Sequence, residues 1–284
     1  MLLFECFKRK LAIKLFMKLS KKQRHWLDFL SAMTQKEIKA RYKRASFGFL
    51  WVVLNPLLQM LVMGFVFQFF VPVKVDNYFL YLFAGLLPWN FFAQSLTKTT
   101  PAFFYEGSLI KKAKFPRESI VLSIIFSNLF HFAVALLLLI VALIGDKLLL
   151  EGYGLMQLMF YALRMLWLVP AVLLLVFFTV GFSLFTSSLN VRFRDVNFMV
   201  ALAVMLWFYA TPVVYALNLL PEFLQAFFYL NPMTAIIEMF HYALLGLPIT
   251  LPNFIWVAVV IIICVFYLGL RVFKKESKNF DDWL

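Results

Sequence analysis

The sequence predicts an all-α polytopic membrane protein: six transmembrane helices, cytoplasmic N-terminal amphipathic helices, and an outer re-entrant helical hairpin before the last span. Three observations carry this prediction. Hydrophobic residues make up 64% of the 284 and charged residues only 14%, at a mean hydropathy of +0.88, whereas a soluble domain carries roughly 25% charged residues. Six apolar runs are each long enough for a bilayer span. Lysine and arginine gather in alternate connecting segments, as the positive-inside rule requires.

Residues 1–46 form the first unit, a cytoplasmic interface segment with 13 Lys/Arg against Glu5, Asp28 and Glu37. Between Leu2 and Leu19 apolar residues crowd one side, while Lys10, Lys14, Lys18, Lys21 and Lys22 follow helical spacing. That pattern suits a helix on the cytoplasmic leaflet with its lysines toward phospholipid headgroups. Trp26, Phe29, Leu30 and Met33 repeat at i, i+3, i+4, i+7 and predict a second amphipathic helix. The polar run Gln35 to Arg44 leads toward the bilayer. A charge run is more often a solvated face than a docking site, but the apolar stripe beside this one favours docking. About six apolar residues precede Lys8, too few for a secretory signal, so this segment is expected to be retained.

The six-span unit covers 47–270. Phe47 to Val71 is 25 residues without a charge, about 37 Å as a helix. Pro56 is expected to kink it, and Asn55 needs a polar partner. Phe79 to Thr97 is the second span, with Pro88 inside it and Lys98 able to snorkel to the inner interface. Ser119 to Gly145 is the third, interrupted by Asn128 and His131, which are expected to hydrogen-bond neighbouring helices. The fourth lies between Arg164 and Arg192, with Arg164 snorkelling at its outer start. The fifth lies between Asp195 and Glu222. The sixth, Asn253 to Leu270, is followed by a cytoplasmic tail over 271–284.

Charge sets the orientation. Of the 27 Lys/Arg, 23 fall on one side: 13 before the first span, four in 111–117, Arg192 and Arg194, and four after Leu270. That side is cytoplasmic, and both termini lie on it. The opposite loops hold Asp76, Asp146, Glu151, Glu222 and Glu238 against Lys74 and Lys147. Within them, 217–252 is too apolar for a free loop and too broken for a span, with Pro221, Pro232, Pro248 and Pro252 along it. Pro221 to Tyr229 and Thr234 to Leu245 read as two short helices dipping back into the outer leaflet, which is tolerated where protein or a water-filled cavity covers the backbone.

The net charge of +13 and pI near 9.7 would suggest nucleic acid in a soluble protein. Here topology and anionic headgroups account for it, so membrane lipids are the expected partner and nucleic acid is not. No P-loop occurs. The spans lack the Asp/Glu/His chain of ion-coupled carriers, and no inverted repeat is evident. Glu238 and His241, at i and i+3, are two ligands and not a metal site. Cys6 and Cys264 give no disulfide framework, and no nucleophile–base pair appears. The chain is therefore expected to have no catalytic residues, no metal and no cofactor of its own.

The basic loop 106–118 then becomes the place where outside force could enter. Leu109, Ile110 and Phe115 offer an apolar plug for a partner's cleft. Lys111, Lys112, Lys114 and Arg117 would orient it, and Pro116 breaks the chain before Glu118 opens the third span. The lysines are equally explained by topology.

Arg41-Tyr42-Lys43-Arg44-Ala45-Ser46-Phe47-Gly48-Phe49-Leu50-Trp51, followed by Asn55-Pro56, resembles the start of the first span of ABC-2 type transporter permeases. Gly85-Leu86-Leu87-Pro88-Trp89-Asn90-Phe91-Phe92 resembles their second span, and Ser108 to Lys112 with Phe115 to Glu118 their cytoplasmic loop. Arg192-Phe193-Arg194-Asp195-Val196 is similar to their second inner loop, here 190–197. Asn231-Pro232-Met233-Thr234-Ala235-Ile236-Ile237-Glu238 is similar to their outer hairpin. Many relatives carry Arg near His241, and a mostly neutral histidine, of reference pKa about 6.5, would hold an anion less strongly.

The resemblance implies the polysaccharide-export branch: a homodimer in the bacterial inner membrane, on two copies of a separate ABC ATPase that holds the ATP and Mg. It implies that Arg192, Arg194 and Asp195 make a second, smaller ATPase contact. It further implies a channel lined by spans one and five, including Trp51, Phe65, Phe69, Trp207, Tyr209 and Tyr215. Aromatic faces stack on sugar rings, although the same residues also suit interfacial belts and packing. The substrate expected is a lipid-linked polysaccharide of O-antigen type. Capsule, teichoic acid, small lipids or drugs, and a scaffold role in envelope glycan synthesis, stay open at this point.

Overall fold

The computed structural model describes residues 20–42, 48–70, 77–112, 115–149, 152 and 154–283. The predicted surface helix over Leu2 to Leu19, Lys114, and the side chains of Phe69 and Lys112 lie outside this set. Among the described residues the fold is all-helical, without a strand.

Helix α1 (Lys21–Tyr42) starts in a capping box, the Ser20 and Gln23 side chains each accepting from the other's backbone N–H. It packs along α6 (Glu118–Leu149), with Leu30 and Met33 buried. That is the apolar stripe read from the sequence. A 3-10 turn at Gly48–Leu50 precedes α2 (Trp51–Phe70), so the first apolar run becomes helical at Trp51. Helix α3 (Tyr78–Thr99) is the hub: α2, α6, α8 (Leu168–Arg192), α9 (Val196–Tyr209) and α11 (Pro232–Leu245) all pack on it. Its unbroken buried stretch from Tyr81 to Trp89 follows from that position.

Four helical stretches are long and apolar enough to cross a membrane: Tyr78–Thr99, Glu118–Leu149, Leu155–Arg192 and Pro252–Asn279. The apolar stretches Trp51–Phe67 and Val196–Tyr209 are shorter. The fourth run is two helices, α7 (Leu155–Met165) and α8, separated by a turn at Leu166 and Trp167. Arg164 lies in α7 and is engaged with protein. Its Nε donates to the Ala243 carbonyl at 3.4 Å, and its guanidinium stands over Tyr161, whose hydroxyl donates to the Leu244 carbonyl. Snorkelling is thus not the main account of it.

The fifth run differs from expectation. Helix α9 has 14 residues, about 21 Å at 1.5 Å per residue, short of the roughly 30 Å hydrocarbon core. The chain from Ala210 to Ala216 is non-helical, because Pro212 has no N–H to continue the ladder. Its carbonyls are met by α3: Tyr78 donates to Val214 at 2.8 Å, and Tyr81 to Tyr215 at 2.9 Å and Pro212 at 3.4 Å. Asn231 adds a bond to the Ala210 carbonyl at 3.1 Å.

The expected pair of short helices is present as α10 (Glu222–Phe228) and α11. Asn231 caps α11 by accepting from Met233 N–H, Pro232 occupies its first turn, and Gly246 ends it at φ +79°. The last helix, α12 (Ile255–Glu276), runs past the expected end at Leu270. A 3-10 turn (Ser277–Asn279) and α13 (Phe280–Trp283) follow. The segment after Arg271 is therefore no free tail, since Phe273 and Phe280 are core residues. Helices α8 and α12 make the most extensive pairing in the fold. Gly181 faces the backbone of Val265 and Phe266, and Gly269 faces the Gly181 carbonyl, so the two axes come as close as backbones allow.

Candidate functional site

One end of the bundle collects the basic segments. After α3, the chain makes α4 (Ala102–Tyr105) and α5 (Gly107–Lys112), passes through Phe115 and Pro116 without helix, and enters α6. Pro116 cannot donate to a preceding turn, and its carbonyl accepts from Ser119 N–H as α6 begins. The second basic loop joins α8 to α9 through Phe193, Arg194 and Asp195.

These two loops meet through the C-terminal segment. Arg117 donates to the Ser277 carbonyl and stands 5.6 Å over the Phe280 ring. Phe280 is fully buried, 4.8 Å from the Phe103 ring and 5.9 Å from Phe273. From the other loop, Arg192 stands 5.7 Å over Trp283 of α13, and Arg194 stands 5.1 Å over Phe104 of α4. On the opposite side, Lys36 of α1 pairs with Glu106, and the Phe29 ring lies 4.7 Å from Phe115. The loop 106–118 is thus held between α1 and α13.

The three apolar residues expected to form a plug are placed differently in this arrangement. Ile110 is buried in this chain's own core, and Phe115 is half-buried against Phe29. An apolar side chain beside an amphipathic helix buries itself there before any partner arrives. What α5 leaves outward is Ser108 and Lys111, with Leu109 half-buried. Glu118 starts α6 as the acidic residue of its first turn, which suits the helix dipole. Arg192, Arg194 and Asp195 are exposed. The C-terminal residues were not among the predicted contacts; the aromatic pair Phe273 and Phe280, inside a segment rich in charge, is the signal that marks them.

The expected channel residues are not one cluster. Trp51 and Phe65 are exposed on α2 and Tyr209 on α9, two helices that flank α3. Trp207 is half-buried, 5.4 Å from both Phe92 and Phe182 and 5.9 Å from Phe178, and it also lines an open cavity with Phe227, Phe228 and Pro232. Its ring makes edge-to-face contacts with these aromatics. Tyr215 donates to the Tyr209 carbonyl at 2.9 Å and holds the end of α9.

The hairpin residues serve separate contacts. Glu238 accepts from the Tyr229 hydroxyl, the Thr250 hydroxyl and the Thr250 N–H, which ties α10, α11 and the following loop together. His241 stacks on Tyr81 at 3.9 Å, and its Nε2 lies 3.0 Å from the Tyr81 carbonyl, above Gly85, whose missing side chain makes room. Glu238 and His241 therefore share no ligand position. Among the described residues no group of three His, Cys, Asp or Glu comes together to hold a metal ion.

Of the polar residues expected inside the spans, Asn128 is hydrogen-bonded to two neighbouring helices. Asn128 donates to Ser95 Oγ at 3.0 Å and accepts from Arg41 at 2.6 Å. Asn55 and His131 line the same cavity as Arg41.

A helical bundle with several apolar spans and a basic, aromatic-clamped end is a polytopic membrane protein. The ABC-2 type transporter family matches residues 29–245, and the chain belongs to that family. It is 33% identical to an O-antigen export system permease protein RfbA of Klebsiella pneumoniae over 264 residues, covering 90% of this chain and 95% of that one. A second Klebsiella pneumoniae protein of that name is 36% identical over 211 residues, 74% of this chain and 77% of the relative. The protein so named in Myxococcus xanthus is 33% identical over 197 residues, 68% and 70% of the two chains.

Proposed function

We propose that this chain is the membrane subunit of an ATP-driven exporter that carries a lipid-linked polysaccharide of O-antigen type across the bacterial inner membrane. The observation that carries the reading is the 33% identity to an O-antigen export permease across 90% of the chain. ATP and Mg belong to a separate ATPase, two copies serving two copies of this chain. The transporter subunit itself does no chemistry.

The topology that fits is six crossings with both termini cytoplasmic. Helices α2 and α9 supply the two shorter crossings, α9 being extended by the chain that Tyr78 and Tyr81 hold. The units are then the interface segment 1–46, the permease 47–270 and the terminal segment 271–284, with α10 and α11 as the outer re-entrant hairpin. The exposed apolar faces of α2 and α9 suit a second copy, with a channel between the copies that Trp51, Phe65 and Tyr209 would border.

Coupling is read as a rigid movement. An ATPase pressing on the outward face of α5, at Ser108 and Lys111, would move α1, the loop and α13 together, because Phe29, Phe115, Arg117 and Phe280 bind them into one block. Arg192, Arg194 and Asp195 would ride on the same block.

The test is co-expression with an ABC ATPase in a strain lacking this chain. The expected result is a stable complex that hydrolyses ATP, no hydrolysis by the chain alone, and lipid-linked polymer accumulating in the cytoplasm when the chain is absent. Polymer reaching the surface without the chain would overturn the reading.

A further inference from the structure

A cavity of about 390 Å³ lies among α1, α2, α3 and α6. Two polar stripes face one another across it, Asn55 and Gln59 at i, i+4 on α2, and Asn90, Gln94 and Lys98 at i, i+4, i+8 on α3. Spacing of four keeps each stripe on one helix face, and Asn90 joins the two by donating to Gln59 Oε1 at 2.8 Å. Such groups are costly within apolar spans, and their concentration at one place marks a functional surface.

The cavity also holds two cations, Lys98 in the last turn of α3 and Arg41 from α1. Asn128, itself buried on α6, fixes Arg41 by accepting from its Nη2 at 2.6 Å, and Ser95 fixes Asn128 in turn. One neutral acceptor leaves most of the five-donor guanidinium fork to other acceptors. Among the described residues no Asp or Glu lines the cavity. Glu37, one turn before Arg41, is not on the wall. Two cations sharing a partly desolvated cavity with amide donors and no lining carboxylate are complementary to a compact, multiply charged oxyanion.

We propose that this cavity binds a phosphate group, presented at the head of a lipid in the leaflet that α1 and the last turn of α3 adjoin. The amides of both stripes would donate to its oxygens. The identification of that lipid with the export substrate rests on the reading above; the binding itself does not.

The experiment uses the full chain without an ATPase, purified in detergent and examined by native mass spectrometry with added dioleoylphosphatidic acid, with dioleoylglycerol as the lipid lacking phosphate. Sodium pyrophosphate titrated calorimetrically is the arm for a free anion. Phosphatidic acid is expected to be retained and dioleoylglycerol not. Arg41→Gln and Lys98→Gln should each weaken retention about tenfold, the scale of one charge-assisted contact. Lys98→Arg should restore it, and Lys275→Gln, outside the cavity, should not change it. Lys98 is the more exposed of the two cavity cations, so its variants are expected to fold even if Arg41→Gln does not. Pyrophosphate binding with the same dependence on Arg41 and Lys98, in place of lipid, supports the phosphate site and makes its source aqueous. Retention of neither probe, or retention indifferent to both substitutions, overturns the proposal. Because no ATPase or glycan enters the measurement, its failure leaves the export reading standing, and failed export leaves the measured site standing.

Discussion

Arg117, seven residues after Ile110 and at the mouth of α6, stands 5.6 Å over the ring of Phe280 while it donates to the carbonyl of Ser277. One side chain thus fastens the first basic loop to the last turns of the chain. Phe280 extends the link to Phe103. Phe280→Ala removes a fully buried ring and should cost about 3–5 kcal/mol, read as a lowered unfolding midpoint in detergent. Hydrogen exchange should quicken in 102–112 and around Arg194, because both regions pack on this segment. Unaltered exchange there would show that the C-terminal segment clamps neither loop.

Phe115 and Phe29 pack with ring centroids 4.7 Å apart, so Phe115→Asp sets a carboxylate against an aromatic face. ATP hydrolysis by the assembled transporter should persist while export falls at least about tenfold, a factor that about 1.4 kcal/mol supplies. Phe29→Asp should reproduce the defect from the other side. Pro116→Ala should weaken coupling in the same direction, since it lets α6 extend backward. Export at the unaltered rate in all three would remove the loop from the coupling path.

These contacts separate what sequence reveals from what it hides. Hydropathy located the apolar runs because transfer free energy is a property of composition. The expected helix from Thr234 to Leu245 matches α11 at its end and starts two residues late, because the cap at Asn231-Pro232 was not used. The end of α9 was not legible, since Ala210 to Ala216 carries no charge and only Thr211-Pro212 marks the break. Its stability depends on Tyr78 and Tyr81, more than 130 residues away. The basic loops were legible from charge, but the fate of Ile110 and Phe115 was not. Apolar side chains in a short basic loop look available to a partner until α1 and the C-terminal segment are brought beside them. The polar stripes on α2 and α3 went unread in the sequence, because only the Asn90–Gln59 bond shows that they face each other.

Gly181 and Gly269 give a sharp stability contrast. A methyl group at either would meet backbone atoms of the opposing helix, which cannot rotate aside. Gly181→Ala and Gly269→Ala should each destabilise by about 1–3 kcal/mol through overpacking. Gly145→Ala, where a methyl would meet nothing, should be neutral or stabilising by up to about 1 kcal/mol. Thermal unfolding of the three variants in one detergent checks the order.

Tyr81 and Tyr78 supply the decisive test of how the chain after α9 survives in an apolar setting. Their hydroxyls are donors to carbonyls that no helix satisfies, those of Pro212, Val214 and Tyr215. Tyr81→Phe keeps the ring that His241 stacks on and removes only the donor, so the expected loss of about 1–3 kcal/mol isolates the cost of an unmet buried carbonyl. Tyr78→Phe should cost a similar amount. The double variant should lose at least the sum, because the two bonds hold one short segment and share its ordering. Hydrogen exchange of Val213 to Leu217 should rise in step, while α11, capped by its own Asn231, should stay protected. If both single variants unfold at the unaltered temperature, water must replace the lost donors. The segment would then face a wet cavity instead of the tyrosines' dry contact, the other condition under which irregular backbone is tolerated at membrane depth.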